Sequence, residues 1–180
     1  MKAVARVCLA AVLAIALSSA AQAQEPKSAA LAKQLAAALD AAKIDSIAAK
    51  DPNSPDVFIG ALYFPGIQLL VVSAKYTVPA LLIEKLGNKQ YKDVYIDLNS
   101  ASVPETKVFV EDLGADGLKA DHSENQPYDS YEAAGKRTSF DGDWKKQKLS
   151  KEEYQKVFGT ADDRYSQMLH ALLAQLKQTS

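Results

Sequence analysis

The sequence predicts an α+β fold, an antiparallel sheet or barrel packed by an N-terminal and a C-terminal helix. Three observations predict it. Residues 57–74 hold two strand-like runs parted by Pro65-Gly66, and residues 92–98 and 106–113 add two alternating segments. Helical stripes stand at both ends, from Ser28 and from Ser150.

The first residues are an address rather than a fold. Lys2 and Arg6 make a short basic region, Val7 to Ala20 an apolar run, and Ala21-Gln22-Ala23 the small residues a signal peptidase reads. This order is that of a secretory signal peptide, residues 1–23, cut after Ala23. The apolar run falls short of the ~20 residues that span hydrocarbon. Export to a periplasmic or extracellular space is therefore expected, with residues 24–180 forming one domain. Cys8, the one cysteine, leaves with the peptide, which excludes thiol catalysis and cysteine-type zinc sites from the remainder. Losing Lys2 and Arg6 leaves a mildly acidic chain. Such a balance gives no electrostatic reason to expect nucleic acid or an anionic membrane surface as partner.

Along residues 24–180, Ser28 to Lys50 is alanine-rich, with Leu31, Leu35 and Leu39 four apart. That spacing predicts a helix over the first part. Ser46 to Lys50 reads equally as helix or strand. "DPNSPD", residues 51–56, predicts a loop. Val57 to Phe64 and Ile67 to Ala74 are rich in β-branched and aromatic residues, and Pro65-Gly66 between them predicts a type II turn. "QLLVVSA" is apolar on both faces, as a strand inside a sheet is. Thr77 is placed to cap a helix carrying Pro79, Leu82 and Leu86. Lys92 to Leu98 and Thr106 to Leu113 alternate, with Val108 and Val110 inward in the second. Residues 119–143 are polar and predict one short strand or a long surface excursion.

The C-terminus predicts a helical end. Ser150 with Glu153 forms a capping box, and Thr160 with Asp163 a weaker one after a break at Gly159. Tyr154, Val157, Phe158, Ala161, Tyr165, Met168, Leu169, Leu172, Leu173 and Leu176 make one apolar stripe, a docking face without chemistry.

Few residues carry a chemical pattern. His170 borders the stripe and reads as a packing or boundary residue. His122 lies among Asp116, Asp121 and Glu124, but a calcium loop counted from Asp112 puts Gly114 and Ser123 at ligand positions. No metal site is expected. Asp93 and Asp97 share a strand face about 13 Å apart, too far for a coupled carboxylate pair. Ser73, Lys75 and Thr77 stand where strand meets helix. Hydroxyls, an ammonium and free N–H groups at such a corner suit an anion, while Thr77 as an N-cap suits a purely structural join.

The order helix, "SIAAKDP", "VFIGALYF", "IQLLVVSAK", helix "VPALLIEKL", "DVYIDL", "KVFVEDL", terminal helices resembles the FMN-binding split barrel of the pyridoxamine-phosphate-oxidase type. The resemblance covers about Ser46 to Leu113 by element order. It implies a split β-barrel, FMN as cofactor with its phosphate at Ser73, Lys75 and Thr77, and pairing into a homodimer. The family's arginine near the start of the helix is missing here. The leading expectation is thus a non-catalytic exported module that binds a small ligand or a protein partner, with no catalytic residues and no cofactor. A flavin-dependent oxidoreductase is the alternative.

Overall fold

The computed structural model describes residues 26–76, 106–121 and 128–179. The elements run α1 (Ser28–Ala42), β1 (Ser46–Asp51), β2 (Ser54–Phe64), a 3-10 turn (Pro65–Ile67), β3 (Leu69–Tyr76), β4 (Thr106–Leu113), β5 (Ser130–Ala133), β6 (Lys136–Ser139) and α2 (Lys151–Thr179). The fold is α+β. The six strands form one antiparallel sheet in chain order, with β1 and β6 at its edges, and among the described residues it stays open rather than closing into a barrel. The signal-peptide segment, the helix after Thr77, the strand at 92–98 with Asp93 and Asp97, and His122 all lie outside the described residues.

Both helices lie on one face of the sheet. A cross-strand row, Ile47, Ala61, Val72, Val110, Tyr131 and Thr138, crosses all six strands and is buried throughout. Against it pack Leu35 and Leu39 of α1 and Tyr165, Met168, Leu169 and Leu172 of α2. Because strand side chains alternate, the neighbouring row faces the other way. There Leu62 and Val71 are buried beside Ala48, Phe64, Leu69 and Phe109.

The helix ends follow from capping. α1 stops at Lys43, whose left-handed φ of 59° lets its N–H reach the Asp40 carbonyl while the Ile44 N–H returns to Leu39. Its other end borrows an acid from α2: Asp162 accepts the Lys27 and Ser28 N–H groups at 2.7 and 3.0 Å. A carboxylate there meets both the unpaired donors and the positive end of the helix dipole. The Ser150 box forms as expected, the Glu153 N–H donating to Ser150 Oγ at 3.1 Å and the Ser150 N–H to Glu153 at 2.7 Å.

Several expectations change. β1 extends to Asp51 and β2 begins at Ser54, so "DPNSPD" is a tight turn inside a hairpin rather than a loop. Ser46–Asp51 is strand. The β2–β3 connection is a 3-10 turn with Gln68 left-handed at φ 48°, not a type II turn on Gly66. Residues 119–143 hold two strands, β5 and β6, joined by Ala134 and Gly135 at φ 50° and 73°. That is the two-residue hairpin turn whose twist matches the sheet. α2 passes Gly159 unbroken, and the Thr160 hydroxyl donates to the Lys156 carbonyl at 2.9 Å inside the helix instead of capping a new one.

Candidate functional site

β3 continues to Tyr76, so Ser73 and Lys75 are ladder positions in the sheet. Ser73 is buried and pairs with Gly60 and Phe109, on the face turned away from the helices. Lys75 pairs with Phe58 and Thr106, beyond an irregularity in the β3–β4 register. Thr77 lies outside the described residues. His170 is exposed on α2 rather than packed, and it lines a surface cleft with Lys27, Leu31 and Asp163. Among the described residues no three His, Cys, Asp or Glu side chains gather as metal ligands do.

The stripe of α2 does carry polar chemistry, through Tyr165. Its hydroxyl, fully buried, donates to Asp112 at 2.9 Å. Asp112 also accepts the Gly117 and Asp116 N–H groups at 2.9 and 3.2 Å, so the loop after β4 winds around one carboxylate. Asp129 holds the same loop from the other side, accepting the Leu113 and Lys119 N–H groups at 2.8 Å each. Gly117, at φ 92°, lets this loop rest directly on α1. A Cβ there would lie 2.4 Å from the Ala29 Cα. Next to it the Leu118 N–H donates to Ser28 Oγ at 3.1 Å, and that hydroxyl donates on to Asp162 at 2.6 Å.

Burial dominates the titration of these groups. It pushes the Asp112 carboxyl up to about 7, with the charge of Asp129 adding to the effect and the three hydrogen bonds opposing it. Asp129 rises to about 6, again through burial and against its two N–H donors. Burial also raises Tyr165 well above the usual phenol range, which keeps its proton on the hydroxyl. Asp112 and Asp129 hold main-chain N–H groups, and Asp112 holds Tyr165 as well, so their geometry serves the fold.

The second feature is a groove of about 250 Å³ between α2 and the β5–β6 hairpin. Its sheet side consists of the helix-facing pairs Tyr131 with Thr138 and Ala133 with Lys136. Its helix side is Lys156, Val157 and Thr160, successive positions on one face of α2. Ala133 is small where a larger residue would fill the gap, and the Thr160 hydroxyl is already engaged with the helix backbone. What remains is a mostly apolar floor carrying the Tyr131 and Thr138 hydroxyls, with two ammonium groups. Burial raises the Tyr131 phenol above its ordinary range, the nearby Arg164 opposing only in part.

Sequence reasoning passed over this groove because both strands of its sheet side lie in residues 119–143, where it expected at most one strand. Lys156 and Thr160, polar positions beside Val157 on the stripe, were the available signal. For the buried acids the signal was the run Asp112, Gly114, Asp116, Gly117, a turn composition in which an Asp side chain substitutes for a backbone acceptor. Set against protein-family models, curated proteins and solved structures, the chain matches none.

Proposed function

We propose that the chain is an exported, non-catalytic module that binds a small ligand in the groove between α2 and the β5–β6 hairpin. The observation that carries this reading is the groove itself. It is concave, apolar-floored and rimmed by two lysines, the composition of small-molecule sites. At about 250 Å³ it is smaller than the roughly 300–1,000 Å³ of drug-sized sites, so its ligand is small. The buried titratable groups lend support by elimination of another role: Asp112, Asp129 and Asp162 accept main-chain N–H groups and hold loops and helix ends. The flavin reading draws less support. Beyond residue 23 the chain has two arginines, and both are engaged, Arg137 with Glu111 and Arg164 with Asp51.

The test is an amide chemical-shift titration of residues 24–180 with two small probes, hexanoate and hexanamide. Saturable shifts concentrated on β5, β6 and residues 153–160 are expected from at least one probe. Shifts scattered over the surface, or absent, would remove the groove as a binding site. FMN added separately, with shifts at Ser73 and Lys75, would move the reading to the flavin alternative.

A further inference from the structure

We infer that the ligand of this groove is a small amphipathic monocarboxylate, its apolar part against Tyr131, Ala133 and Val157 and its carboxylate between Lys136 and Lys156. This rests on the groove being a binding site. Its chemistry follows from charge. Among the described residues no carboxylate lines the groove, and two ammonium groups do.

Glu153 stands one turn before Val157 on the same helix face. Its carboxylate is held by the Ser150 N–H at 2.7 Å as half of the capping box. That hydrogen bond is the main cause of its lowered pKa, and the charge of Lys136 contributes only a smaller part. Glu153 is therefore ionised and held at the cap, where Lys136 feels it through charge alone, and among the described residues neither Lys136 nor Lys156 forms a direct salt bridge. The other cations near the hairpin are different in this respect, since Arg137 pairs with Glu111 and Arg164 with Asp51. An anion entering the groove would meet two lysine charges with no direct salt bridge to displace among the described residues.

The floor sets the remainder of the ligand. Tyr131 is buried and neutral, Ala133 and Val157 are aliphatic, and the Thr160 hydroxyl is taken by Lys156 O. Beyond these the floor carries only the Tyr131 and Thr138 hydroxyls, fewer than the several placed donors and acceptors that a sugar or a base needs. A short alkyl or single-ring group satisfies the floor through area removed from water. One negative charge at the end satisfies the rim. A small organic acid has both.

The test compares hexanoate, hexanamide and hexylamine in the same amide titration, at low and high salt. Hexanoate is expected to bind about fivefold to tenfold more tightly than hexanamide, the sum of two exposed charge contacts. Hexylamine should bind weakest. The advantage of hexanoate should shrink at high salt, because exposed charges are screened. In the variant Lys136→Gln/Lys156→Gln, both sites exposed and without a direct salt bridge among the described residues, hexanoate should fall to the level of hexanamide. Groove shifts with equal affinity for hexanoate and hexanamide would overturn the anion inference and leave the groove reading standing. So would an advantage that survives the double substitution. No groove shifts from any probe would overturn both.

Discussion

The Tyr165 hydroxyl and the Asp112 carboxyl meet at 2.9 Å in the interior, joining α2 to the end of β4. A polar contact so placed must be complete, because a buried donor or acceptor left alone costs free energy that water would otherwise supply. Here Oδ2 of the carboxyl takes the phenol and the Gly117 N–H, and Oδ1 takes the Asp116 N–H. Helix, strand and loop are thereby fixed by a single side chain.

Removing the two partners should therefore be unequal. Tyr165→Phe deletes one hydrogen bond and should cost about 1.5–3 kcal/mol in urea unfolding. Asp112→Ala strands the phenol and two N–H groups together and should cost more than about 3 kcal/mol. Equal costs for the two, or a neutral Asp112→Ala, would show that the loop finds other acceptors.

Stability should also depend on pH with an unusual sign. Asp112 and Asp129 have folded values of about 7 and about 6, both above the ordinary 3.8. Between about pH 4 and pH 7 the folded chain therefore holds protons that the unfolded chain has lost, and its stability falls as pH rises. The contribution is complete below the unfolded value and is gone above the folded one. Melting temperature should be higher at pH 5 than at pH 8, and Asp112→Asn should flatten that difference. A profile that rises from pH 5 to pH 8 would contradict the assignment.

Arg164 grips both oxygens of the buried Asp51, which also accepts the Asn53 N–H at 2.9 Å in the β1–β2 turn. Arg164→Met leaves that carboxylate without its cation and should cost about 3 kcal/mol or more. Adding Asp51→Asn to the same chain should recover part of the loss, since the uncompensated charge is then removed. If the double variant is no better than the single, the arginine acts through packing of its stem.

Much of this fold was legible and the candidate site was not, for a physical reason that particular residues show. Leu31, Leu35 and Leu39, and the long stripe from Tyr154 to Leu176, repeat often enough to reveal a period. β4 does the same with Val108 and Val110. β5 and β6 have four residues each, and only Tyr131, Ala133, Lys136 and Thr138 face the helices. Two points per strand define no period, and Ala134-Gly135 is a weaker turn signal than Asn-Gly. Asp162 capping α1 from another helix is a contact across 134 residues, which local pattern does not contain. Gly159 misled because glycine is a good marker of helix ends but is tolerated inside a helix held by tertiary packing.

The export proposal has its own check. Lys2, Arg6, the apolar run and Ala21-Gln22-Ala23 support a cleaved signal peptide. Intact mass of protein from the producing cell should begin at Gln24, cyclised or not. A soluble cytoplasmic pool retaining Met1 would count against it.

The groove can be closed with one substitution. Ala133→Leu adds bulk on its sheet side at a partly buried position where a strand tolerates a larger residue. A ligand that binds only the folded chain raises its melting temperature, so the unsubstituted chain should show a saturable rise with hexanoate. In Ala133→Leu, folded by circular dichroism, that rise should disappear. A rise of the same size in the filled variant would contradict binding between α2 and the hairpin.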